Sequence, residues 1–339
     1  MTLRAFALLA AMGLTSSIEA AVPLEVLPAR TDINWIGIST PSADVIWLSG
    51  SSSTIGRSVD GGASWDYFQP ASADLEFRDI EATSASEAYA LSIGKGGASR
   101  IYHTGDGGRN WQLHYRAGSN QFLNCMAMSE TGEAWVYGDS VDSLWSMVRG
   151  ADGRNWLTAR NVVDSKPLPG EGGLAASGSC IRYKNNVWVI GTANATTARL
   201  LIKRDFGIRF KAIDSPLPAG PSAGIASVWP FSQRHALLAG GDLNNSEARP
   251  RLVRYEDGEF TPLSEPPLAG ALYSLTVLPD GAILVSNPDG AALLPAANEA
   301  WLRLSEENIW NSACVAGHCY LAGKSGYVAK FSWPAAATD

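Results

Sequence analysis

Four carboxylates sit on loops rich in glycine and polar residues: Asp139 and Asp142 in "GDSVDS" (138–143), Glu171 in "PGEGG" (169–173) and Asp242 in "GGDLNN" (240–245). Arg100 closes another such loop, "GKGGASR" (94–100). Loops held by a rigid scaffold are where binding and catalytic groups concentrate. Two carboxylates facing each other across a sugar-sized cleft can serve as the acid and base of glycoside hydrolysis. The same groups without such a pairing would line a polar, acidic mouth for a protein, peptide or glycan. For any single one of them, a solvated turn residue is the plain alternative.

Other chemistries find less support. "GKSG" (323–326) has His318 where a phosphate-binding loop needs its first glycine. The histidines at 103, 114, 235 and 318 show no metal-ligand spacing, so no metal is expected. No C-x-x-C pair points to redox chemistry, and no cofactor is expected. The net charge of −7, without a long Lys/Arg run, argues against neutralising a nucleic-acid backbone.

The elements that must carry these loops are strands. Only 17% of the 339 residues are charged, while 34 are Gly, 12 Trp and 10 Tyr, a mix of turn formers and aromatics that predicts an all-β chain. "FRDIEATSASEAYALSIG" (77–94), "FLNCMAMSETGEAWVYG" (122–138) and "ASGSCIRYKNNVWVIG" (176–191) stack on one another almost residue for residue. "GIASVWPFSQRHALLAGG" (224–241) and "ALYSLTVLPDGAILVS" (271–286) repeat the shape. Each reads as the first hairpin of a repeat, and Trp47, Trp135 and Trp188, at alternating positions in second strands, read as core.

Each repeat closes on an aromatic: Trp65, Trp111, Trp156, Phe210, Phe260 and Trp301. Their spacing of about 47 residues is that of one four-stranded propeller blade. A last unit, "IWNSACVAGHCYLAGKSGYVAKFSW" (309–333), has room for three strands, and "PLEVLPAR" (23–30) can supply the fourth. The expectation is a seven-bladed β-propeller closed by its N-terminal strand, which removes the open sheet edges. The blades span about 31–68, 77–115, 122–160, 174–214, 223–263, 270–304 and 309–333 with 23–30. Six blades remain if 224–301 divides differently.

Ahead of this single domain (21–339), Arg4, the apolar "AFALLAAMGL" (5–14) and "TSSIEA" (15–20) read as a signal peptide cut after Ala20. The apolar run is too short to span a bilayer. The mature chain is therefore expected to be exported, periplasmic or secreted, monomeric and without an integral membrane segment.

Two units carry S/T-x-D-x-G-x-x-W between their third and fourth strands: Ser58, Asp60, Gly62 and Trp65, then Thr104, Asp106, Gly108 and Trp111. The Asp carboxylate can accept from backbone N–H groups of its own turn, and Gly supplies a positive φ. "KRDFGIRF" (203–210) keeps Asp205, Gly207 and Phe210, while "RGADGRNW" (149–156) is one residue short. A catalytic residue is needed once and a turn staple in every blade, so the recurrence predicts a structural role.

These motifs resemble the Asp-boxes of bacterial neuraminidase repeats. The whole mature chain is similar to the photosystem II assembly factor-like branch of those propellers, in its bacterial exported members, through "FRDIEA", "AYALSIG", "GDSVD" and "PLPGEGGLAASGSC". The resemblance implies a propeller fold. In a four-stranded meander the carboxylate-bearing loops lie on the face opposite the Asp-boxes, so the expectation is a non-catalytic binding or assembly scaffold that grips its partner there. A sialidase or xyloglucanase-like glycoside hydrolase using loop-face carboxylates is the alternative. The arginine triad and Tyr–Glu pair of a sialidase have no evident counterpart here.

Aligning first strands puts Cys125 and Cys180 at the same offset in neighbouring blades, and Cys314 and Cys319 flank one hairpin turn. This predicts the disulfides Cys125–Cys180 and Cys314–Cys319, with four buried thiols as the alternative.

Overall fold

Among the described residues the strands form seven separate sheets of four, and within the sheets neighbouring strands run antiparallel. The computed structural model describes residues 22–296 and 300–333. The expected signal segment (1–20) lies outside them. Six sheets follow chain order, from Trp35–Ser39 outward to Asp66–Phe68 in blade one and likewise through blade six. The last breaks the order: Ile309–Val315, His318–Gly323 and Val328–Ser332 are followed by Glu25–Val26 from the other end of the chain. The protein is a seven-bladed β-propeller.

Burial is deepest in the second strands and shallowest in the fourth. Second strands such as Ile46–Gly50 and Val187–Gly191 are buried along their whole length, because a neighbouring blade covers each face. Their sequences, "IWLSG" and "VWVIG", therefore read as continuous apolar runs. Fourth strands such as Gln112–Arg116 are largely open to solvent.

No blade owns its core. Trp47 and Ile55 of blade one pack with Phe77, Ala90 and Tyr102 of blade two. Trp135 and Tyr137 of blade three pack with Trp188 and Phe210 of blade four, and the same holds around the ring. The aromatic that closes each repeat joins the interface with the preceding blade. Trp111 meets Trp47 edge-to-face at 6.2 Å.

The turns before those aromatics are clasped by side chains. Ser58 Oγ accepts from the Gly62 N–H (2.8 Å) and donates to Asp60, whose Oδ1 accepts from the Ser64 N–H at 2.9 Å. Thr104, Asp106, Gly108 and Asn110 repeat the arrangement. Ser64 and Asn110 also donate from their side chains to the second carboxylate oxygen, a polar position the sequence pattern leaves out. The shortened copy keeps the clasp, with Asp152 accepting from the Arg154 and Asn155 N–H groups. Asp205 departs from it, because its carboxylate accepts from the Trp188 indole instead. Gly108 is required twice over: its φ is +90°, and a Cβ there would lie 2.6 Å from the Phe68 ring of blade one.

Ring closure rests on little chain. Glu25 and Val26 pair with Lys330 and Ala329, and the Leu27 N–H donates to the Val328 carbonyl at 2.8 Å. Leu27 is buried among Trp35, Ile46 and Tyr320 where the last blade meets the first. Truncating a buried leucine costs about 2–5 kcal/mol. Leu27→Ala should therefore lower the unfolding free energy by about that amount, read by denaturant titration. A change under about 0.5 kcal/mol, the range of neutral surface substitutions, would show that closure contributes little.

Candidate functional site

The connection from blade three to blade four, 159–180, is long and returns through the centre of the ring. Its outer part runs beside blade four, where the Phe210 N–H donates to Val162 and the Asp164 N–H to Phe210. Arg199 then gathers the chain. Its guanidinium pairs with both oxygens of Glu171 and donates to Ser165 Oγ and the Lys166 carbonyl. Glu171 also accepts the Leu168 N–H at 2.7 Å, and it is fully buried.

Beyond Gly172 and Gly173 the small residues of "LAASGS" (174–179) cross the axis. The Ala175 carbonyl accepts from Arg78 of blade two at 2.8 Å. Ser177 Oγ donates to the Tyr273 carbonyl of blade six, and the Ser177 carbonyl accepts from Asn311 of blade seven. Ser179 Oγ donates to Ser227 Oγ of blade five. A Cβ on Gly178 would lie 2.6 Å from the Asp79 carboxylate carbon. The run ends at Cys180, disulfide-bonded to Cys125 of blade three with their Cα atoms 5.9 Å apart. Cys314 and Cys319, direct partners across one hairpin, form the second disulfide. The protein thus plugs its own channel with a segment small enough to fit it.

Above the plug lies a trough of two adjoining depressions, about 310 and 360 Å³, which share Leu243 and Tyr273. Both are lined by second-to-third-strand loops, blade-to-blade connections and the strand ends that meet them, so they lie on the face opposite the clasped turns. Leu174, Ala176 and Tyr273 form one apolar cluster in its floor, and Leu243 projects into it with 41% of its surface exposed. Arg78 reaches its wall, with its guanidinium 6.0 Å from the Trp310 ring. Asp139 borders it as well. Burial raises the Asp139 pKa, while hydrogen bonds from Asn124 (2.8 Å) and the Gly173 N–H (3.2 Å) pull it back down.

The four carboxylates singled out in the sequence do not gather at one mouth. Asp139 lines the trough, and Asp242, whose Oδ1 accepts from the Asn244 N–H, precedes Leu243 at the trough's edge. Asp142 instead lines a rim pocket of about 550 Å³ with Trp145, Arg160 and Lys166. Glu171 is consumed by Arg199. Arg100 donates within its own blade, to the Gly97 carbonyl and Tyr102 hydroxyl. The guanidinium that reaches the trough is Arg78, hidden from loop-based reasoning because it lies inside a first strand.

Beneath the plug, Asp79, Glu81 and Arg182 project from first strands. Burial pushes the Glu81 pKa up to about 7, against the opposing pull of the Arg182 guanidinium. "GPSAG" (220–224) has the spacing of a hydrolase nucleophile turn, and Ser222 has φ +63°. It leads, however, into the strand Ala223–Ser232 rather than a helix, and His235 lies at that strand's far end.

No protein-family model matches this chain, and neither does any curated protein. Solved propellers do. YCF48 bound to D1 peptide superposes with a TM-score of 0.65 at 12% identity, over 93% of this chain and 98% of that one. YCF48 from Cyanidioschyzon merolae gives 0.64 at 13%, over 92% and 99%. A catalytically inactive virginiamycin B lyase from Staphylococcus aureus with quinupristin gives 0.67 at 11%, over 92% and 99%. At these identities the likeness is one of fold.

The charges around the axis have two measurable consequences. Removing one partner of a buried ion pair costs roughly 3–5 kcal/mol. Glu171→Ala should lose that much in denaturant titration, and a loss under about 1 kcal/mol, as for an exposed pair, would contradict the anchoring role. Burial and mutual repulsion keep protons on the neighbouring Asp79 and Glu81 carboxyls to higher pH in the folded chain, with Glu81 pushed up to about 7, whereas an unfolded chain releases such protons at roughly pH 4. Stability should therefore fall as pH rises through that interval. Thermal melts of Glu81→Gln should show a flatter decline there, and an unchanged profile would contradict it.

Proposed function

We propose that this protein is an exported, monomeric, non-catalytic scaffold that grips an extended segment of a partner protein in the trough above its plugged channel. One observation carries the reading. The chain fills its own axis with 174–179, so what remains above the axis is a shallow trough with an apolar floor, apart from the rim pocket around Asp142. Such a shape suits a few side chains of an extended peptide. Leu243 and Tyr273 supply apolar contact, and Arg78 and Asp139 supply charge and hydrogen bonding at the wall. YCF48 has been solved with a D1 peptide, which supports peptide holding as a use of this fold.

Glycan binding in the same trough would call on the same polar wall, but fewer observations favour it. Hydrolysis is weaker still: an acid–base pair must face one substrate, and here Glu171 is bound to Arg199, Asp142 lines a different depression, and Asp242, outside the trough's lining, accepts from the Asn244 N–H, which of the four leaves only Asp139 on the wall.

The test is a peptide array probed with the purified mature chain, beside assays on chromogenic glycosides. The wild type should retain a subset of extended peptides, and Leu243→Glu with Tyr273→Ala should weaken them at least tenfold while the melting temperature is kept. Turnover of a glycoside, or peptide retention indifferent to both substitutions, would overturn the proposal.

A further inference from the structure

The most exposed large apolar side chains in the described structure stand together at one turn. Phe206 is 97% exposed and Ile208 is 88% exposed, at the apex of the turn between the third and fourth strands of blade four. At the corresponding place the clasped turns carry "DGGAS" and "DGGRN". Isolated exposed apolar residues are common, but two at one apex leave a cluster with no partner.

The turn is held firmly from below. Lys203 is almost wholly buried, with its ammonium 5.6 Å from the Trp135 ring and 5.9 Å from the Trp188 ring. It donates to the Arg204 and Asp205 carbonyls, at 3.2 and 3.1 Å. Asp205 no longer clasps its own backbone, since its carboxylate accepts from Trp188. The apex is thus presented rather than left slack.

Around it lie Arg204, Arg209 and Lys211, all exposed, and none of them forms an ion pair among the described residues. This basic collar sits on a chain whose net charge is −7.

We propose that this turn docks the protein on an anionic lipid bilayer, with Phe206 and Ile208 entering the headgroup–acyl boundary and the collar meeting lipid phosphates. Convexity and size favour lipid over a protein partner. A specific protein interface buries about 800 Å² on each side and needs a complementary surface. Two protruding side chains supply only a fraction of that area. A bilayer interface accepts a convex apolar tip without a preformed pocket, and cationic side chains can extend to its surface while their stems lie on apolar groups. The tip lies on the clasped-turn face, so docking leaves the trough on the far side directed away from the membrane.

The experiment is flotation of the mature chain with vesicles of phosphatidylcholine alone, or of phosphatidylcholine with phosphatidylglycerol. The protein should float with the phosphatidylglycerol vesicles, and high salt should reduce the floated fraction severalfold. Phe206→Ser with Ile208→Ser should reduce it at least tenfold at an unchanged melting temperature. Arg204→Gln with Arg209→Gln should remove the preference for the anionic vesicles. No flotation, or flotation equal for wild type and the apolar double variant, would overturn the proposal. The second outcome holds even if the turn later crosslinks to a protein. Peptide retention on the trough is a separate reading and stands or falls independently.

Discussion

Each blade here has two apolar faces and no core of its own, so each can fold only against its neighbours. That constraint decides where the aromatics, the turn glycines and the crosslinks lie. The closing aromatics sit at blade interfaces, and the glycines of the clasped turns are needed where a neighbour's side chain approaches, as Leu27 does at Gly62 and Phe68 at Gly108. The Cys125–Cys180 disulfide spans one interface between first strands. The short N-terminal strand matters out of proportion to its length because it completes the interface at which the ring would otherwise open.

A ring of seven such sheets leaves a hole lined by first strands, and those strands carry polar groups: Asp79, Ser227, Ser274 and Asn311. Buried polar groups need partners. The crossing segment supplies partners for two of them, Asn311 through the Ser177 carbonyl and Ser227 through Ser179, and its small side chains let it pass between opposing strands. The buried Arg199–Glu171 pair fixes its entry and the disulfide fixes its exit. Filling the axis leaves the trough above it lined on one side by blades two and three and on the other by blades five and six, with Leu174 in the floor.

Much of the architecture was legible in the sequence because strand patterning and turn chemistry are local. The hairpin repeats gave the blade count, and the three-strand remainder at the C-terminus required Glu25–Val26 to complete it. The offsets of Cys125 and Cys180 identified neighbours because equivalent positions in adjacent blades lie side by side. The site was less legible, for long-range reasons. "LAASGS" has the composition of any loop, and nothing local says that it crosses the axis. Glu171 looks like a loop acid until Arg199, in the third strand of the next blade, is brought against it. Arg78 lies within a strand, where loop-based reasoning does not look. "KRDFGIRF" reads as a decayed copy of the clasped turn, and only the fold shows that Asp205 has turned to Trp188 and left Phe206 in solvent.

The protein closes its own channel, and the proposed peptide surface is the trough above the closure. The most direct measurement is photo-crosslinking with mass-spectrometric mapping, using a tightly retained array peptide that carries a diazirine. Adducts are expected on 174–176, 243–246 and 269–273, in the floor and walls of the trough. Adducts on the first strands beneath the plug, at Glu81 or Arg182, or on the clasped turns at 58–65 and 104–111, would contradict this placement.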